Sequence, residues 1–109
     1  SWTNWMPTWQ FPSMPKLKAP ELIAPLTRVT VTDTNVLFSW QPALNAAAYK
    51  IIIARDANFT DRVILKKVAG TEFTGMLPAG RFFWRVRAVD ASGLMGPWSA
   101  SRVVKVSLP

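Results

Sequence analysis

Apolar and polar residues alternate with a period of two over much of this chain. The clearest run is 82–89, where Phe82, Trp84, Val86 and Ala88 fall on one side and Phe83, Arg85, Arg87 and Val89 on the other. Such alternation puts successive side chains on opposite faces of an extended strand, here one apolar face and one bearing arginines. Val36, Phe38 and Trp40 likewise oppose Leu37 and Ser39, and Tyr49, Ile51 and Ile53 oppose Lys50, Ile52 and Ala54. β-Branched 29–32, with Leu22 and Ile23 ahead of it, gives the first strand. Segments 62–68, 71–76 and 101–106 bring the number to about seven. Turn residues punctuate them: Asp33-Thr34-Asn35, Gln41-Pro42, 56–61 and 90–97, after which Trp98-Ser99 opens the next strand. Phe59, inside one of these turns, is expected to fold inward. Ala46, Ala47 and Ala48 are too few to nucleate a helix and lead into a strand. The pattern predicts an all-β chain, a seven-stranded antiparallel sandwich over 21–109.

Residues 1–20 follow another rule. They hold Trp2, Trp5, Trp9, Phe11, Met6 and Met14 among Pro7, Pro12, Pro15 and Pro20, with Lys16 and Lys18 and no acidic residue. Prolines at this spacing forbid a long helix and favour extended chain. A tail without a core but with large aromatic anchors is suited to docking, because a stiff segment loses little entropy when bound and tryptophan is enriched at binding hot spots. Trp2, Trp5, Trp9 and Phe11 are therefore the candidate partner-binding residues. Packing back over an edge strand of the sandwich is the alternative.

Chemistry narrows the function further. The chain has no cysteine and no histidine, which removes disulfides, thiol catalysis and histidine acid–base chemistry. Its six acidic residues fall mostly in turns, where aspartate caps local backbone. Asp56 and Asp61 flank one loop, but two carboxylates without further oxygen donors make a poor calcium site. No nucleophile–base pair or phosphate loop is visible. The expectation is a protein that is not an enzyme, with no cofactor, no metal and no small-molecule substrate. The net charge of +7 favours an anionic or acidic partner. Lys50, Arg85 and Arg87 beside Phe83 would make a basic aromatic surface, yet no nucleic-acid reader motif accompanies them, so nucleic acid is not expected. Tryptophans with Lys16 and Lys18 suit a membrane surface. No apolar run of about 18 residues is present to span one. A first residue that is serine, not methionine, implies processing or trimming, and a lipidated residue ahead of it is one form of this.

Taken in order, Pro25, Phe38-Ser39-Trp40-Gln41-Pro42, Ala48-Tyr49-Lys50-Ile51, Leu77-Pro78-Ala79-Gly80, 82–88, Gly93 and Trp98-Ser99 resemble a fibronectin type III domain over about residues 21 to 107. Ile53-Ala54-Arg55-Asp56 followed by Phe59 is similar to bacterial envelope and surface versions, which implies a bacterial source and an extracytoplasmic location: periplasm, outer-membrane periphery or cell surface. The family's tyrosine near the start of the strand is Phe82 here, leaving that corner to be held by packing of Phe82 with Leu77 and Pro78. The resemblance to cytokine-receptor domains, which stack the tryptophan of a Trp-Ser motif between arginines, implies a structural cation–π ladder of Arg85, Trp98 and Arg87. Together these readings lead to a non-catalytic structural or protein-binding subunit of a larger envelope or secretion assembly, its tail docked on a neighbouring subunit. The alternative is a cell-surface module binding polysaccharide or peptidoglycan through its exposed sheet, with Phe83 as the outward aromatic.

Overall fold

A computed structural model describes residues 17–108. Within them the alternating segments form nine strands: β1 Leu22–Ala24, β2 Val29–Val31, β3 Asn35–Trp40, β4 Ala48–Ala54, β5 Arg62–Val68, β6 Glu72–Met76, β7 Gly80–Val89, β8 Met95–Trp98 and β9 Arg102–Val106. β1, β3 and β6 make one sheet in the order β1-β3-β6. The other runs β2-β9-β7-β4-β5, with β8 also paired to β7. The described residues contain no helix, and so none long and apolar enough to cross a membrane.

The inner faces are the apolar phases of the sequence. Phe38 and Trp40 on β3 meet Tyr49, Ile51 and Ile53 on β4, Phe82, Trp84 and Val86 on β7, and Val104 and Val106 on β9. Phe38 and Trp84 pack edge to face with centroids 4.9 Å apart, and Trp40 and Tyr49 at 5.7 Å. Aromatic pairs in this geometry add about 0.5–1.5 kcal/mol beyond their burial. The Tyr49 hydroxyl accepts a hydrogen bond from the Ala43 N–H at 2.8 Å, tying the β3–β4 loop to the core.

Nine strands replace the expected seven because the first strand breaks in two and because Met95–Trp98, expected as turn up to Pro97, pairs with β7 as β8. The first changes sheets: β1 pairs antiparallel with β3, and after Pro25 the chain crosses to run as β2 parallel to β9. Arg102, opposite Trp84, holds this crossing by donating from Nη1 to the carbonyls of Ile23 and Pro25 and from Nη2 to that of Leu22. At the other end the chain breaks at 99–101, between β8 and β9. There the Val86 N–H donates to Ser99 Oγ at 3.0 Å while the Ser99 N–H donates to the Val86 carbonyl, so β8 and β9 both stay on β7. At the corner before β7, Leu77 and Phe82 are buried, and the Leu77 N–H also donates to the Thr34 carbonyl at 2.9 Å. That corner is thus held by a backbone bond as well as by packing.

Candidate functional site

The chain buries apolar residues on the outer side of the six-stranded sheet as well. Ile52 and Ala54 point outward from β4 and are covered by Phe59, with Phe83 and Trp98 packed against them. Phe59 is buried, but on this outer face and not in the main core as expected for an inward fold; its left-handed backbone (φ 57°) and the Phe59 N–H bond to the Asp56 carbonyl turn it back over β4. The Arg85 guanidinium lies 4.2 Å from the Phe59 ring centroid and 4.7 Å from that of Trp98, and the Arg87 guanidinium lies 4.7 Å from Trp98. Arg87 Nε donates to the Gly96 carbonyl at 2.9 Å. The structure therefore brings together Arg85, Trp98 and Arg87 and adds Phe59 as a fourth member. Burial, then repulsion from Arg87, lowers the pKa of Arg85 from its ordinary value, and its Nε has no hydrogen-bond partner among the described residues. The ring faces supply the compensating attraction, about 0.5–1 kcal/mol for each exposed contact and more where water is excluded.

A basic groove of about 410 Å³ lies lower on the same face, lined by Arg28, Thr30, Arg81, Phe83, Val103 and Lys105. Register builds it. Lys105 lies directly opposite Arg81 on one side and Thr30 on the other, and Phe83 lies opposite Val103. Arg28, in the left-handed region at φ 62°, is fixed by its N–H donating to the Val103 carbonyl at 2.7 Å.

At the opposite end, 17–20 run over the sandwich. Leu17 lines a depression with Leu94, Met95 and Gly96. A Cβ on Gly96 would stand only 2.7 Å from that of Leu17, so glycine is what lets the segment approach. On its other side the segment borders the β3–β4 loop, where 18–21 and 41–44 line a second depression. Leu44 and Leu94 are exposed, at 76% and 67%. Trp2, Trp5, Trp9 and Phe11 lie outside the described residues.

The acidic turns serve the backbone. The Asp56 carboxylate accepts from the Thr60 hydroxyl, the Thr60 N–H and the Asp61 N–H, which holds its pKa down to about 2. Asp90 accepts from the Ser92 hydroxyl and from the N–H groups of Ser92 and Leu94, which lowers its pKa too. Asp56 and Asp61 thus meet through one carboxylate and one amide, and no group of three metal-ligating residues is found among the described residues.

No protein-family model matches the sequence, and no curated protein matches it. Solved structures do. A Fn3-like protein from Clostridium thermocellum is 18% identical at a TM-score of 0.59, covering 84% of this chain and 96% of its own. The beta-1,2-glucanase of Parabacteroides distasonis is 19% identical at a TM-score of 0.63 over 90% of this chain, but this chain spans only 14% of the glucanase. The sixth fibronectin type III domain of a human protein containing such domains is 20% identical at a TM-score of 0.57, covering 91% of this chain and 90% of that one. With a two-sheet sandwich of this strand order and these neighbours over most of its length, the chain has the fibronectin type III fold.

Proposed function

We propose that this domain is a non-catalytic, protein-binding module of a larger extracytoplasmic assembly, in which the Trp-rich tail and the end of the sandwich it leaves from dock together on a neighbouring subunit. The observation that carries the reading is the root of the tail. Segment 17–20 is seated on the sandwich between the exposed Leu44 and Leu94, so the anchors Trp2, Trp5, Trp9 and Phe11 begin a few residues from a fixed, apolar platform. A root already ordered on the sandwich is a part of the interface whose ordering does not have to occur on docking. An envelope or secretion complex is the setting implied by the resemblance of 53–59 to bacterial envelope and surface versions of the fold.

A full-length chain with Trp2, Trp5 and Trp9 replaced by alanine, and a second with L44S and L94S, test this by co-purification from envelope extract of its own organism. Both should lose the subunits retained by the native chain. Unchanged retention by both variants rules the reading out.

A second reading has one observation in its favour: half-exposed Phe83 beside an open groove on the sheet suits polysaccharide. The glucanase and an alpha-L-rhamnosidase from Dictyoglumus thermophilum each hold a similar sandwich as a small share of their length.

A further inference from the structure

We propose that the outer face of the six-stranded sheet binds a linear anionic glycan, seated in the groove between β2, β9 and β7. The inference rests on the polysaccharide reading and narrows it to one chemical class; it is independent of what the tail docks on.

Charge is segregated between the two sheets. Every charged side chain on β2, β4, β5, β7, β8 and β9 is a lysine or arginine, whereas the only one on β1, β3 and β6 is Glu72. A surface that serves only solubility interleaves both signs. Here like charges stand directly opposite one another: Lys105 faces Arg81, and Lys50 faces Arg87 on one neighbour and Lys67 on the other. Such pairs destabilise a sheet. An anion laid across them converts the repulsion into attraction, and the groove has Arg28 at its rim for a third contact.

Length and shape select among anions. Arg81 and Arg87 are six residues apart on one strand, about 20 Å, so a ligand engaging both cationic rows is an extended polymer and not a single ion. Phe83 and Val103 form an apolar floor against which the C–H face of a sugar ring packs. Single-stranded nucleic acid needs free aromatic faces on which bases stack. Those of Phe59 and Trp98 are taken by Arg85 and Arg87, which leaves the single half-exposed ring of Phe83 on this face, too few for a run of successive bases.

The test measures binding of the full chain to polygalacturonate, to neutral dextran and to duplex DNA at about 50 and 200 mM salt. Three forms are compared: native, R81S/K105S, and R55S/K66S, which removes the same charge away from the groove. Polygalacturonate should bind and dextran should not. R81S/K105S should weaken binding about tenfold or more and flatten the salt dependence by about two counterions, with R55S/K66S changing it far less. A melting curve checks each variant, and R28S, outside every strand, replaces R81S/K105S if that pair unfolds. Equal effects of the two double variants, or tighter binding to DNA than to polygalacturonate, overturn the proposal. Dextran binding as well as polygalacturonate removes the anionic class but leaves the polysaccharide reading standing. Failure of every glycan removes both.

Discussion

Replacing Arg102 by methionine should detach β1 before the rest of the sandwich unfolds. The guanidinium reaches from the six-stranded sheet to three carbonyls at the sheet crossing, at 2.7 Å to Leu22 and 3.0 Å to both Ile23 and Pro25. Methionine keeps the apolar stem and removes the donors. A shielded hydrogen bond to a charged group contributes about 1.5–3 kcal/mol. The bond to Ile23 is exposed and the other two are half-buried, so about 1 kcal/mol each, or about 3 kcal/mol in all, is the working figure. A domain of this size has about 5–13 kcal/mol to lose, so the melting temperature should fall by roughly 12–24 °C. The Gln41 N–H, which donates to the Glu21 carbonyl just ahead of β1, should exchange much faster, while the Trp84 N–H exchanges only with global unfolding. R102K should recover little, because one ammonium cannot span three carbonyls in the guanidinium's planar fork. Urea unfolding combined with amide exchange reads all of this. A loss under about 0.5 kcal/mol with Gln41 exchange unchanged would refute the idea that Arg102 holds the crossing.

Other consequences follow from the same contacts. S99A leaves the buried Val86 N–H without its side-chain acceptor and should cost about 1–3 kcal/mol in chemical denaturation. G96A should push Leu17 off β8 and speed proteolysis ahead of Pro20, with the melting temperature of the sandwich little changed. A double-mutant cycle between Arg87 and Trp98 should return a coupling of about 0.5–1 kcal/mol, and a coupling of zero would dissolve the ladder. Asp56 has a folded pKa below its ordinary 3.8, so its contribution to stability is present above that value and is lost as pH falls through about 2; Thr60 and Asp61 amide shifts should titrate there, and D56N should abolish the transition.

Most of the sandwich was legible because β3, β7 and β9 each bury one face, so the period of two survives in the sequence. The break in the first strand and the pairing of β8 were not. Pro25 entered only as a piece of the family resemblance, and what carries the chain between sheets is Arg102, some 77 residues away; no local pattern records a side chain that reaches three distant carbonyls. The Arg85–Trp98–Arg87 contact was reached through the resemblance to cytokine-receptor domains, whose Trp-Ser pair and Arg-x-Arg spacing are both local features. Phe59 escaped it. The available signal was Ile52 and Ala54, apolar residues in the outward phase of β4: an apolar outward pair asks for a cover, and the aromatic in the following turn supplies it. The groove at Arg28, Arg81 and Lys105 was missed for a related reason. Its members come from three segments far apart in sequence, and only register sets them side by side.

That register also divides the arginines of β7 by role. All three outward arginines share one strand face, yet Arg85 sits between two rings and Arg87 is held by a ring and the Gly96 carbonyl, so the positive charge of each is already partly met within the domain. Arg81 is exposed, stands opposite another cation, and has no aromatic face over it among the described residues. A ligand that draws on charge should therefore gain most at Arg81 and least at Arg85, although the sequence presents the two as equivalent positions of one alternating strand. Substituting Arg85 should show up chiefly in stability, and substituting Arg81 chiefly in binding and its salt dependence. The reverse assignment would mean that the rings leave the charge of Arg85 available to solvent, and that the ladder is a contact without energetic consequence.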